Sequence, residues 1–322
     1  MPWGIADTVH ESRLPAPSSV GTAAGRQGQV VSSRMKKVSP IHGLTFFFLL
    51  GLILVTLIFK GNLPLWSSLL LRYFMLMALL FVLKLLSDRK GGKGILFNDF
   101  SPLIFVILIY ESLGDLIHYL KPDIDAKLIE IDLFLFGVHP TVWMERWIVS
   151  WFTDIMSLAY VSYYFLPVTL VVVLYLKNRR LEFNESIFVL TFGYYASFIG
   201  YILFPAIGPR YALASFHSVP LEGTWITDFV RDTLNALEHN KRDCMPSGHT
   251  QLVLMVLYLS YRYERFLAYL FLPIICALIL STVYLRYHYV IDLFAGAAFA
   301  IGCLIIAPRW YRRWNPKASD EC

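Results

Sequence analysis

The chain has 322 residues, 57% of them hydrophobic and only 16% charged, with a mean hydropathy of +0.57; in an ordinary soluble domain about a quarter of residues are charged. That composition excludes a secreted or cytosolic enzyme and implies an integral membrane protein. The net charge of +5 is modest and fits membrane topology better than nucleic-acid binding, because no stretch interleaves basic and aromatic residues.

The first forty residues are rich in Ser, Gly, Pro and Ala and cannot bury enough apolar surface to offset ordering, so residues 1–40 read as a flexible tail. They are no signal peptide, since the first apolar stretch begins only at Ile41 and no small-residue cleavage site follows it. From there, runs of roughly 20 apolar residues, each about 30 Å long as helix, recur along the chain. The predicted spans are 41–59, 63–86, 102–120, 155–176, 186–204, 249–262, 266–285 and 288–307. The sixth is short, and its helix is expected to begin as early as Pro246, because proline is well accepted in a first turn.

The expected fold is therefore all-α, a polytopic bundle of about eight transmembrane helices over 41–307, followed by a basic tail over 308–322. Eight crossings put both termini on one side. With that side cytoplasmic, 17 of the 28 Lys and Arg fall on it and nine on the other, Arg72 and Lys84 lying within the second span. This is the bias of a protein with both ends inside.

Between the third and fourth spans, Trp143, Trp147 and Trp151 recur every fourth residue and predict a helix, either lying in the membrane interface or buried against the bundle. In the third span Glu111, Asp115 and His118 share a helical face. Ionisable groups are expensive there, and two readings stand: contact with a substrate headgroup or acceptor by Asp115 and His118, or a polar cluster paired with Arg72. A metal site is not expected, because two carboxylates and one imidazole on a single helix seldom suffice. The four cysteines, at 244, 276, 303 and 322, lack the close spacing of a zinc site, and Cys276 and Cys303 read as packing residues.

Reactive side chains gather in three places. The first is Asp243-Cys244-Met245-Pro246-Ser247-Gly248-His249-Thr250, which runs straight into an apolar helix. Glycine allows close backbone approach, the unpaired N–H groups of a helix start attract an anion, and His249 can supply a proton. The second is Arg286-Tyr287-His288-Tyr289-Val290-Ile291-Asp292. Here His288 and Asp292 are one turn apart, so the carboxylate can hold one imidazole nitrogen while the other attacks; Arg286 suggests that the attacked group is anionic. The third is Gly208-Pro209-Arg210, which presents an arginine from a rigid turn. The topology brings Arg210, His249 and His288 to the same outer face.

Pro246-Ser247-Gly248-His249, followed some forty residues on by His288 and Asp292, resembles the signature of the type-2 phosphatidic acid phosphatase superfamily, a family of metal-independent membrane phosphatases and phosphotransferases. The likeness is specific over 204–296 and implies a six-helix phosphatase-type core within the bundle. The segment from Asp132 to Pro167, with Phe136-Gly137-Val138 and Tyr163-Tyr164-Phe165-Leu166-Pro167, looks more like the inositol phosphorylceramide synthase-like branch. By this resemblance His288 corresponds to the nucleophile that forms a phosphohistidine, Asp292 to its orienting partner and His249 to the acid that protonates the leaving oxygen. Ser247 and Gly248 correspond to donors for the phosphoryl oxygens. The pair Ser281-Thr282 stands where the family commonly has Ser-Arg, and the predicted helix before Gly208-Pro209-Arg210 holds no lysine. Arg286 is expected to replace the missing arginine, and Lys241 or Arg242 the missing lysine.

The expected function is a lipid phosphatase or phosphotransferase in the membrane, with its site on the periplasmic or lumenal face. It needs no cofactor and uses water or a lipid alcohol as acceptor. A headgroup transferase and a non-catalytic lipid-binding or transport protein are the alternatives.

Overall fold

The computed structural model describes residues 39–90, 92–237 and 240–315. All but the last two residues of the predicted N-terminal tail, and residues 316–322 of the predicted C-terminal one, lie outside the described residues. Within them the chain is helical, without strands. In order the helices are α1 (Pro40–Ile58), α2 (Trp66–Lys90), α3 (Gly92–Ile117), α4 (Asp125–Phe136), α5 (Pro140–Trp143), α6 (Ser150–Leu176), α7 (Arg180–Leu203), α8 (Pro209–Ala212), α9 (Trp225–Leu237), α10 (Gly248–Tyr263), α11 (Arg265–Tyr284) and α12 (Val290–Trp314).

Seven of these, α1, α2, α3, α6, α7, α11 and α12, are long and apolar enough to cross a membrane. Their exposed positions are largely apolar. Leu71, Phe74 and Phe81 of α2 are exposed although Leu69 and Tyr73 are buried, the pattern of a helix surrounded by lipid and by other helices. The chain is thus an all-α, multi-pass integral membrane protein.

The remaining predicted span is α10, at 16 residues about 24 Å of helix. It forms the centre of the bundle, packed on α6, α7, α11 and α12 with Leu252, Val253, Met255, Val256 and Leu259 buried. It starts two residues later than the sequence suggests. Ser247 keeps an extended backbone and its hydroxyl accepts the Thr250 N–H at 3.2 Å, so the cap falls at 247 and Pro246 stays outside the helix.

At one end of the bundle Trp314 packs against Phe47 and Phe188, so the start of α1 and the end of α12 meet there. The residues predicted as the start of a basic tail continue α12 to Trp314, because Tyr311 is buried against Phe188. The opposite end gathers the C-terminus of α7, the N-terminus of α10 and the turn between α11 and α12.

Over that end lie α4, α5, α8 and α9. The three tryptophans do not share one helix. Trp143 closes α5, Trp147 lies in a 3₁₀ turn (Met144–Trp147), and Ile148 and Val149 are extended before α6, so the four-residue period spans a break. All three indoles are exposed. The start of α9 is tied to α6 by Asp154, whose carboxylate accepts the N–H and hydroxyl groups of both Thr224 and Thr227 at 2.7–3.2 Å.

Candidate active site

The turn after α11 presents His288. Arg286 adopts a left-handed φ of 67°, uncommon for a residue with a side chain. It lets the N–H groups of Tyr287 and His288 both reach the Thr282 carbonyl, at 2.9 and 3.0 Å. The His288 ring is buried. Its Nδ1 lies 2.8 Å from the Cys244 carbonyl oxygen and 3.6 Å from Asp292 Oδ2, and its Nε2 lies 3.3 Å from His249 Nδ1.

A carbonyl can only accept, so this network assigns the proton to Nδ1 of His288 and leaves a lone pair on Nε2. His249 then donates from Nδ1, and its buried Nε2 has no hydrogen-bond partner among the described residues. His249 sits in the first turn of α10, with ring centroids 4.6 Å from Tyr160 and 4.3 Å from Tyr163 of α6. Asp292, fully buried, accepts the Cys244 thiol at 2.8 Å and the Tyr289 N–H at 2.9 Å on one oxygen, while the other oxygen has no hydrogen-bond partner among the described residues.

Both imidazoles open on a cavity of about 280 Å³ shared with Arg210, Lys241, Asp243 and Tyr287. Arg210 is brought there by the turn before α8. Gly208 has a φ of 84°, and a Cβ on it would stand 2.7 Å from the Tyr287 carbonyl oxygen, so glycine alone allows this approach. The Arg210 N–H then reaches the Arg286 carbonyl at 2.8 Å, and its guanidinium lies 3.3 Å from Asn235 Oδ1 and 3.4 Å from the Tyr287 hydroxyl. Among the described residues no carboxylate forms an ion pair with Arg210.

Two further cavities adjoin this one. An apolar one of about 320 Å³ between α3, α6 and α7, lined by Val106, Ile107, Pro167, Val168 and Phe198, reaches His249 and Asp243. A polar one of about 650 Å³, lined by Ser157, Thr227, Asp228, Arg231 and Arg286, shares Arg210 and Tyr287 with the histidine cavity.

Burial raises the Asp243 carboxyl above its usual range, partly offset by the Tyr110 hydroxyl at 2.6 Å and by His288. Burial, with the Asp292 charge beside it, pushes the Cys244 thiol well up. The donor atoms of Cys244, His288 and Asp292 lie within 4.8 Å of one another, close enough to share a metal ion. A thiol held protonated as a hydrogen-bond donor is, however, a poor metal ligand.

The family model of the PAP2 superfamily matches residues 126–306, which run from α4 to α12 and include both histidines. The chain belongs to the PAP2 superfamily. A PA-phosphatase related-family protein of Dictyostelium discoideum is 27% identical over 177 residues, covering 48% of this chain and 31% of that relative. The chain thus spans about a third of the length of the curated relative it matches. No solved structure matches.

Of the residues expected in this PAP2 site, His288, His249, Arg210 and Lys241 come together on one cavity, with Asp292 behind His288. Several others do not. Ser247 is fully buried with its hydroxyl spent on the α10 cap, and neither it nor Gly248 lines the cavity. Arg286 turns into the polar cavity, where Glu145 pairs with it at 2.8 Å. Arg242 is held by both oxygens of Asp123, at 2.6 and 3.0 Å. Asp115 pairs with Arg72 at 2.5 Å, whereas His118 is exposed against Tyr119 and outside that pair.

The third helix meets the site through Tyr110 instead, by its bond to Asp243. Cys244 and Tyr287 stand inside the two reactive strings, and Tyr163 inside the branch-like segment, with no role read for them, and Tyr160 escapes the sequence reading altogether. The hydroxyl-bearing rings on α6 are three residues apart and so share a face, the one signal that marked them.

Proposed function

We propose that the protein is a lipid phosphatase of the PAP2 type that works through a phosphohistidine on His288, with its site at the periplasmic or lumenal face and both termini cytoplasmic. The observation that carries this reading is the unprotonated Nε2 of His288, 3.3 Å from His249 Nδ1 and on the same cavity as Arg210 and Lys241. In the first step Nε2 attacks phosphorus, the P–O bond to the lipid alcohol breaks, and a protonated His249 gives its proton to the departing oxygen. The substrate's own negative charge favours that protonation. Arg210 and Lys241 neutralise the phosphoryl oxygens, and Asp292 stabilises the positive charge that develops on the His288 ring.

In the second step His249 takes a proton from water as that water attacks phosphorus, which returns His288 and releases phosphate. The apolar cavity that reaches His249 supports a substrate with a hydrocarbon tail. The protein needs no metal in either step.

A second reading, transfer of a phosphorylated headgroup to a lipid alcohol as in the inositol phosphorylceramide synthase-like branch, is favoured by the polar cavity. Phosphate release needs room only for water, whereas about 650 Å³ beside Arg210 is the size of a small-ligand site. Incubation of purified protein with phosphatidic acid or phosphatidylinositol in EDTA, with and without a ceramide or diacylglycerol acceptor, separates the two. Free phosphate lost in His288→Ala supports the hydrolase, and a new phospholipid without free phosphate supports the transferase. Silence in every mixture would speak for a non-catalytic lipid-binding role.

A further inference from the structure

Asp125 and Asp132 are seven residues apart, two turns along α4, and so lie on one face. That face packs on α8 and α12. Both side chains are buried, and neither forms an ion pair among the described residues. A buried carboxylate is costly unless its oxygens are satisfied. Here backbone N–H groups satisfy them, and those groups belong to the two segments that carry Arg210 and His288.

Asp125 accepts the N–H of Ile207 at 2.9 Å on one oxygen and that of Gly208 at 2.9 Å on the other. The Tyr289 hydroxyl reaches the second oxygen as well, at 2.9 Å. Asp132 accepts the N–H of Val290 at 2.8 Å and that of Ile291 at 2.9 Å, one on each oxygen. With Tyr289 N–H taken by Asp292, the first three N–H groups at the start of α12 are bound by carboxylates. Gly208 precedes Arg210 by two residues, and Tyr289 follows His288 directly.

We infer that α4 is a positioning element of the site: Asp125 sets the Arg210 loop, Asp132 sets the start of α12 and with it His288, and Tyr289 ties the two together. The inference rests on the roles given above to His288 and Arg210. Neither aspartate touches the cavity of the two histidines. They act through the segments they hold.

The test uses the full chain in detergent, with orthovanadate as a phosphoryl probe and phosphatidic acid as substrate. Asparagine keeps the size of aspartate but offers one acceptor and one NH₂, so one of the bound N–H groups would face a donor. Asp132→Asn is expected to lower kcat about tenfold at unchanged KM, because it displaces the nucleophile. Asp125→Asn is expected to raise KM and the vanadate Kd about tenfold with a smaller change in kcat, because it displaces the arginine. Tyr289→Phe removes one hydroxyl, keeps both carboxylates, and should move in the same direction as Asp125→Asn by less.

Equal losses of kcat and of phosphate affinity in both variants, in step with a lower unfolding temperature, would reduce the aspartates to general stability and overturn the inference. Unchanged kinetics and vanadate binding in all three variants, beside an inactive His288→Ala that no longer binds vanadate, would overturn it while leaving the site standing. Turnover and vanadate binding intact in His288→Ala would remove the site and the inference together.

Discussion

The imidazole of His288 is held by the backbone carbonyl of Cys244, at 2.8 Å, and not by the carboxylate of Asp292, which stands 3.6 Å away. The two contacts divide the work. The carbonyl fixes the tautomer and the carboxylate supplies charge. Asp292→Asn should therefore keep the ring orientation and lose turnover on the order of 100-fold, the lower end of what a positioned acid–base partner contributes. Cys244→Ser keeps both the carbonyl and a donor to the Asp292 carboxylate, and should stay within about fivefold of wild type, a change of about 1 kcal/mol, because the hydrogen bond is replaced and not removed. Single-turnover rates of phosphoenzyme formation would check both.

The arginines should separate in the same way. Arg210→Ala removes a cation from the histidine cavity and is expected to raise KM for a phosphorylated lipid about tenfold or more, the worth of a charge-assisted hydrogen bond. Arg286→Ala should act first on stability. It strips Glu145, itself buried, of its ion pair, and breaking such a pair costs about 3–5 kcal/mol. Removing Glu145 as well should restore part of the loss. Unfolding temperatures and KM values for the two single variants and the Arg286→Ala/Glu145→Ala double variant would show the split.

Those two arginines also show how far the sequence could be read. The spans were legible because a membrane demands long apolar helices, and the two histidines because Pro-Ser-Gly-His and His-x3-Asp are local strings. Arg286 lies two residues from His288 in sequence, which made it look like a phosphate ligand. Its left-handed backbone and its long-range partner, Glu145, decide otherwise, and neither is visible locally. Asp115 and Tyr110 tell the same story on α3: the charged residue pairs with Arg72 and the tyrosine reaches Asp243, because the rotation of a helix is fixed by its neighbours. In sequence Asp132 stands out only as part of a stretch resembling one branch of the family. That it holds a helix start 158 residues further on is a fact of tertiary structure.

The loop over the polar cavity should loosen in acid. His217 lies 3.1 Å from the Thr141 hydroxyl, and burial, with Arg286 nearby, lowers its pKa from 6.5 to about 4. The docked loop thus binds the proton more weakly than the free one. Its docking is complete above pH 6.5 and weakens as the pH falls towards 4. Glu145 adds to this at lower pH. Burial would raise its carboxyl, but the Ser218 hydrogen bonds and Arg286 outweigh that and leave it below 4.5, so its contribution is lost as acid protonates it. Proteolysis of the 217–223 segment should rise as the pH falls from 6.5 to 4, and His217→Gln should flatten the part due to histidine.

The apolar cavity should govern the tail and nothing else. Val168→Trp fills space between α3, α6 and α7 away from the two histidines. It is expected to raise KM for a long-chain phosphatidic acid by about tenfold, the equivalent of two buried methylenes, and to leave turnover of a short, soluble phosphomonoester unchanged. Equal effects on the two substrates would mean that the tail lies elsewhere.

The most direct test of the central claim is to look for the covalent intermediate. Protein mixed with phosphatidic acid labelled in its phosphate, in EDTA, and quenched in alkali within the first turnover should carry label that is stable to base and labile to acid. After digestion the label should lie on the peptide that contains His288. It should be absent from His288→Ala and should accumulate in a variant whose second step is slowed. Full turnover by His288→Ala, or steady phosphate release with no labelled protein at any time, would contradict the account.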